Sequence, residues 1–256
     1  MKYCSKYHAN PDDAVFCQEC GENITSIKQD HKDCPQCGIK NPLEAKFCFQ
    51  CGCKLYPEKI CHNGHECIDL GLSVKWATCN VGANSPSDYG DYFAWGETKA
   101  KRSFYKKNCE TYIESNLFSG LFGNNDKSIP KKEITCSIEG NPSFDVATLL
   151  WGSMWRMPTK NEVEELINNC TWEWCKNGNT MGYRIVGTNG NSIFLPAAGV
   201  YVDDSLDGCN QHCCYWTSTP KENSLTKAYF LTFYSSIFRI SCWWRCIGRN
   251  VRPVSM

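Results

Sequence analysis

The 256-residue sequence predicts an α+β protein preceded by two short metal-held modules. Three observations lead there. Cysteine pairs at two-residue spacing crowd the first 53 positions. Beyond position 65 only two segments carry helical periodicity, whereas many short runs between Gly-rich turns have the character of strands. The composition is globular, with 42% hydrophobic and 13% aromatic residues, and the length suits one ordinary domain plus something small.

Residues 1–22 and 33–53 form an internal repeat. The first unit reads Cys4-Ser-Lys-Tyr7-His8, then Asn10-Pro11, Phe16-Cys17-Gln-Glu-Cys20-Gly21. The second reads Cys34-Pro-Gln-Cys37-Gly38, then Asn41-Pro42, Phe47-Cys48-Phe-Gln-Cys51-Gly52. Polar linkers, 22–32 and 54–64, follow them. Units this short cannot fold on apolar burial alone. In the second unit Cys34, Cys37, Cys48 and Cys51 make two complete Cys-x-x-Cys knuckles, the donor set that closes a tetrahedron around zinc. Zinc binding then supplies the folding free energy, roughly 10–16 kcal/mol in small zinc peptides. In the first unit Tyr7 stands where the second cysteine is expected, leaving Cys4, Cys17 and Cys20. His8 is the candidate fourth ligand, since imidazole is a normal partner of three thiolates; the alternative is a unit that holds metal weakly or not at all. Phe16 and Phe47 read as small-core residues. Both units resemble the zinc-ribbon modules found at the front of many bacterial proteins, which implies a structural role.

In the large C-terminal region, the Lys-, Asn- and Ser-rich stretch 99–141 has no periodicity and reads as a surface insertion with solvated lysines. A short helix is predicted over 143–150, ending near Gly152. Thr159-Lys-Asn-Glu162 is a capping box, and Val163, Leu166, Ile167 and Cys170 follow at helical spacing. Strands are expected over 182–186, 192–195, 215–218, 228–234 and 238–244, the first two joined by a hairpin turn at 187–190. Few helices with many short strands is the α+β pattern.

Lys+Arg and Asp+Glu are equal at 27 each, so net charge gives no reason to expect nucleic acid or an anionic membrane as partner. A spanning helix needs about 20 apolar residues; the longest apolar run, 192–202, is shorter and contains Pro196. The start, Met1-Lys2-Tyr3-Cys4-Ser5-Lys6, has no apolar signal region, and the expected location is the cytoplasm. Twenty cysteines in a reducing compartment are then metal ligands, small buried hydrophobes or free thiols. Cys61-His62-Asn-Gly-His65-Glu66-Cys67 reads as structural rather than as a metal cluster. Asp203, Asp204 and Asp207 are hard oxygen ligands for calcium or, more simply, a solvated acidic loop. Vicinal Cys213-Cys214 reads as incidental. The sequence carries no phosphate-binding Gly-rich loop, no G-x-S-x-G and no H-E-x-x-H.

Seven ordered blocks carry a resemblance: Asp69-Leu-Gly-Leu72, Lys75-Trp-Ala-Thr-Cys-Asn-Val-Gly-Ala83, Tyr89-Gly-Asp-Tyr-Phe-Ala-Trp-Gly-Glu97, Trp155-Arg-Met-Pro-Thr159, Phe194-Leu-Pro-Ala-Ala-Gly199, Tyr215-Trp-Thr-Ser-Thr219 and Val251-Arg-Pro-Val254. Over residues 65–256 the chain resembles the Fibrobacter succinogenes major paralogous domain, abundant in gut Bacteroidetes. Two departures stand out: Ser153-Met154 replaces a usual Gly-Ser, and members are commonly exported. The family is similar to C-type lectin-like and formylglycine-generating-enzyme-like folds, which implies a C-type lectin-like domain whose C-terminal strands display a ligand-binding surface. Asp207-Gly-Cys-Asn-Gln-His-Cys-Cys214 and the stretch 235–247 mix Cys, Ile, Phe, Trp and His without clean alternation. This resembles the variable proteins of diversity-generating retroelements; a strand pair buried on both faces would abolish alternation too. The implied function is non-catalytic binding of a protein or other ligand through His212, Cys213, Tyr234, Phe238, Ile240, Cys242, Trp244 and Cys246. The alternatives are a copper-dependent oxidase of the formylglycine-generating type using Cys242 and Cys246, and a structural surface paralogue.

Overall fold

The computed structural model describes residues 2–4, 8–11, 14–24, 31–34, 37–42, 45–53, 55, 60–114 and 130–256. Tyr7, most of both linkers, the Cys61 side chain and the centre of the 99–141 stretch lie outside the described residues. The chain divides into two compact units, Met1–Pro57 and Glu58–Met256.

In the first unit two small antiparallel hairpins, β1 (Lys2–Tyr3) with β2 (Ala9–Asn10) and β3 (His31–Asp33) with β4 (Lys40–Pro42), open the two modules. The buried interior of each is two thiols and one aliphatic side chain: Cys4, Cys17 and Ile24, then Cys34, Cys48 and Leu55. Phe16 and Phe47 are not core residues. They are 57% and 58% exposed, because a module this thin is filled by its own ligand sulfurs and has no depth for an aromatic ring.

The second unit is mostly β with few helices. One five-stranded sheet has the order β5 (Ile60–His62), β6 (His65–Ile68), β7 (Lys75–Ala77), β17 (Val254–Ser255), β8 (Trp155–Arg156), so the last strand is clamped between β7 and β8. A three-stranded sheet joins β9 (Thr171–Asn177), β10 (Thr180–Val186) and β11 (Ser192–Pro196). A second five-stranded sheet runs β13 (Ser205–Cys209), β12 (Ala198–Val202), β14 (His212–Pro220), β15 (Lys227–Tyr234), β16 (Ile237–Trp244). Alternate residues of β14 and β15 enter different cores. Cys213, Tyr215, Leu231 and Phe233 join one apolar cluster. Cys214, Trp216, Ala228 and Phe230 join another. Successive strand side chains point to opposite faces, so this hairpin is buried on both sides, which is why its sequence shows no polar alternation.

Helix α1 (Val146–Trp151) is capped by Asp145, whose buried carboxylate accepts from the backbone N–H groups of Ala147, Thr148, Met157 and Gly140 at 2.9–3.1 Å. Gly152, at φ 92°, ends it. Helix α2 (Lys160–Asn169) has the expected capping box, with Glu162 N–H donating to Thr159 Oγ1 at 3.2 Å and Thr159 N–H to Glu162 Oε2 at 2.8 Å. Its Val163 and Leu166 enter the first core. The 99–141 stretch is not a surface insertion at its flanks. Phe104, Cys109, Tyr112, Ile134 and Ile138 are buried. Lys101 pairs with Glu97 at 2.6 Å, and Lys131 donates to the Cys109 carbonyl at 2.7 Å. Scattered single apolar anchors of this kind leave no periodic trace.

Two arginines of the C-terminal segment sit fully inside. Arg245 stacks on Trp95, 4.4 Å from its centroid, and donates to the carbonyls of Ile134, Ser224 and Lys227 at 2.8–3.1 Å. Arg252 donates to the Asn80 amide oxygen and to the carbonyls of Ala77, Thr78 and Phe194 at 2.8–2.9 Å. Burial lowers both guanidinium groups, Arg245 to about 10. Carbonyl dipoles take the place of a carboxylate partner, which satisfies the buried donors.

Candidate metal centres and the C-terminal surface

Each metal centre is built by two knuckles held in register by a buried asparagine. Asn10 and Asn41 donate from Nδ2 to the carbonyls of His8 and Ile39 at 2.7 Å, and accept from the N–H of Gln18 and Phe49 at 2.9 and 3.1 Å. Cys4 N–H bonds the His8 carbonyl just as Cys34 N–H bonds that of Ile39. The structural equivalent of Ile39 is therefore His8, and the first knuckle is one residue shorter. A shorter turn with a longer side chain reaches the same vertex. Gly21, Gly38 and Gly52 adopt φ between 70° and 73°, the left-handed conformation that lets the knuckle N–H groups fold back towards the sulfurs.

Cys34, Cys37, Cys48 and Cys51 bring their sulfurs within 4.8 Å of one another, and so do the ligand atoms of Cys4, His8, Cys17 and Cys20. The Cys34–Cys51 and Cys37–Cys48 sulfur pairs are 3.6 Å apart. Cys20–Cys4 and Cys17 Sγ–His8 Nδ1 are also 3.6 Å apart. A tetrahedron with Zn–S bonds of ~2.3 Å has an edge of about 3.8 Å, so both quartets fit zinc. His8 turns Nδ1 inward, and its Nε2 faces the Glu19 carboxylate at 3.4 Å. A carboxylate behind a ligating imidazole fixes its tautomer and orientation.

The electrostatics agree. Burial raises the Cys17 thiol, but the backbone N–H groups of Cys20 and Glu19 and the Asn10 side chain outweigh it and hold it at about 6. Burial likewise raises Cys48, and the Cys51 and Gln50 N–H groups more than offset it. The Ile39 N–H lowers Cys37, yet burial and the thiols of Cys34, Cys51 and Cys48 push it up to about 12. Four sulfurs this close hold four negative charges only around a cation. Among the described residues, these two quartets are the only groups of three or more His, Cys, Asp or Glu side chains that converge this way. The three loop carboxylates do not converge into one cluster: Asp203 sits at a turn with φ 52°, and Asp204 accepts from Tyr105 Oη at 2.6 Å. Cys67 is buried in the core and His65 stacks on Trp151 at 3.7 Å, consistent with a structural role.

At the C-terminus the predicted surface residues divide. Cys213 and Cys246 are 0% and 2% exposed and cannot meet a ligand. Cys213 Sγ lies 3.5 Å from Asn250 Oδ1 inside the sheet, and Cys246 belongs to the first core. Phe238, Ile240 and Trp244 are half-buried and pack against the same core. Phe238 stacks on Trp172 at 4.5 Å, and Lys106 lies 4.5 Å above the Trp244 ring. Cys242 is half-buried, opposite Tyr229. The phase explains this outcome. Phe238 pairs with Phe233 and Ile240 with Leu231, both buried, and directly paired residues share a face. The opposite face of β16 points outward with Ile237, Arg239 and Trp243 exposed, continued on β15 by Tyr234. His212 pairs with Tyr234 across the sheet, ring centroids 5.2 Å apart. Of the residues on this outward face, Tyr234 and His212 are among those expected from the sequence; Ile237, Arg239 and Trp243 are not, because nothing in 235–247 sets the phase.

A double zinc ribbon family model matches residues 2–52. Neither the curated proteins nor the solved structures provide a match. No described helix is long and apolar enough to cross a membrane.

Proposed function

We propose that the chain is a non-catalytic binding protein of the cytoplasm. The double zinc ribbon is its structural front, and the C-terminal domain is a C-type lectin-like scaffold similar to the Fibrobacter succinogenes major paralogous domain. One observation carries the reading: Tyr234, Ile237 and Trp243, at 48%, 55% and 48% exposure, share one face of the last hairpin with Arg239. Exposed apolar side chains grouped on one face mark interaction sites, and aromatic anchors with an arginine are the side chains that dominate binding hot spots. The frame under them is immobilised by two cores and two buried arginines, as a display surface requires. Zinc–thiolate centres need reduced thiols, which supports the cytoplasm.

Within this reading, the outward face of β16 is the diversified surface of a retroelement variable protein. Comparing the gene across sibling isolates tests it. Substitutions concentrated at Tyr234, Ile237, Arg239, Ser241 and Trp243, with Leu231, Phe233 and Phe238 retained and a reverse transcriptase nearby, are expected. Substitutions spread evenly between the two faces overturn it. No observation favours the oxidase: Cys246 is buried, and among the described residues neither Cys242 nor Cys246 joins a converging group of ligands.

A further inference from the structure

The second ribbon has five thiols for four zinc positions. Cys53, two residues past Cys51, places its Sγ 3.1 Å from Cys34 Sγ, closer than any pair of the ligand quartet described above. It is not a member of that quartet. The first ribbon supplies an internal control. Cys48 N–H bonds the Cys53 carbonyl at 2.7 Å, and Cys17 N–H bonds the Glu22 carbonyl at 2.7 Å. Glu22 is thus the structural equivalent of Cys53, and the first centre has no spare sulfur. Cys53 is half-buried, whereas Cys34 is 3% exposed, so the spare thiol is the one of the pair that solvent reaches.

We propose that Cys53 is an oxidation site for hydroperoxides that forms a disulfide with Cys34 and ejects zinc from the second ribbon alone. The Cys53 thiol gives up its proton as its sulfur attacks the peroxide; the O–O bond breaks, one oxygen becomes a sulfenic acid on Cys53, and the other takes up the proton and leaves as alcohol or water. The zinc-bound thiolate of Cys34 then attacks the Cys53 sulfur and expels hydroxide, which takes a proton and leaves as water. Two sulfurs lose one electron each and the peroxide gains two. A disulfide needs the sulfurs at about 2.05 Å, roughly 1 Å closer than they stand, a shift within reach of a side-chain rotation. Zinc left with three thiolates is no longer closed in its tetrahedron, and because binding and folding are one process here, the second ribbon opens while the first stays closed.

The experiment treats the zinc-loaded full chain with hydrogen peroxide, follows metal release with a chromogenic chelator, and maps disulfides by mass spectrometry of alkylated peptides. One of two zinc equivalents should leave early, with a Cys34–Cys53 cross-link that reductant reverses. Cys53→Ser should hold two zinc equivalents before oxidation and release the second ribbon's metal at least about fivefold more slowly. Release by Cys53→Ser at the wild-type rate, a cross-link confined to the four ligands, or a single zinc in unoxidised Cys53→Ser would each overturn the assignment, the last by making Cys53 a ligand.

Discussion

Trp243 and Trp244 are neighbours in sequence with opposite roles in the fold. Trp243 lies on the outward face opposite Ala228, while Trp244 packs on the first core and under Lys106. Trp243→Ala should leave the melting temperature within about 2 °C of wild type, as surface changes move stability by no more than about 0.5 kcal/mol. Trp244→Ala should lower stability by about 1–3 kcal/mol, less than a fully buried tryptophan loses. Thermal unfolding of the two variants side by side checks this, and equal losses would sink the assignment of faces. Two histidines add a pH dependence. Burial lowers both His65 and His212, with Asp207 opposing at His212. The folded state therefore keeps them neutral where the unfolded chain, with an ordinary pKa of about 6.5, takes up protons. Stability present above that value is lost as the pH falls below it. The melting temperature should decline from pH 7.5 to 5.5, and His65→Phe with His212→Phe should flatten the slope.

Helix ends were the most legible elements, because a cap is a local bargain between a side chain and the next turn. The capping box of α2 was readable at Thr159 and Glu162, and Thr159→Ala should cost about 1 kcal/mol by denaturant unfolding. The start of α1 was placed three residues early, at 143 rather than 146. Asp145 works through four backbone N–H groups, two of which, from Gly140 and Met157, come from outside the helix; no local pattern announces them. Asp145→Ala leaves the buried N–H groups of Ala147, Thr148 and Met157 without an acceptor and should cost at least about 3 kcal/mol, several times the Thr159 loss. Strands were legible where one face is wet or the apolar run is bounded by turns, as in β10 and β11. β9 and β13 were not, since their exposed and half-buried residues give little apolar signal, and β12 was not told apart from β11 because the two lie in one apolar run, 192–202. β16 was found as a strand but not in phase, because its phase is set by pairing with β15 rather than by its own residues. His8 was legible as a candidate; what raises it to a ligand is the shortened turn revealed by the Asn10 and Asn41 hydrogen bonds.

On the scale of the whole molecule the two units draw stability from different sources. Among its described residues Met1–Pro57 buries little beyond its own sulfurs, two asparagines and two aliphatic side chains, so metal is its core. Glu58–Met256 has two apolar clusters, buried arginines and a last strand clamped inside a sheet, with no converging metal ligands among its described residues. Zinc removal should therefore unfold one unit and spare the other. All nine tryptophans lie beyond residue 58, so tryptophan fluorescence reports on the second unit alone. With a strong chelator, amide signals of residues 2–53 should collapse to random-coil positions and limited proteolysis should trim the chain to a fragment beginning near residue 58. The tryptophan-detected melting temperature should stay within about 2 °C. A larger shift would mean that the ribbons stabilise the C-terminal domain directly, and the independence of the two units argued from their cores would be wrong.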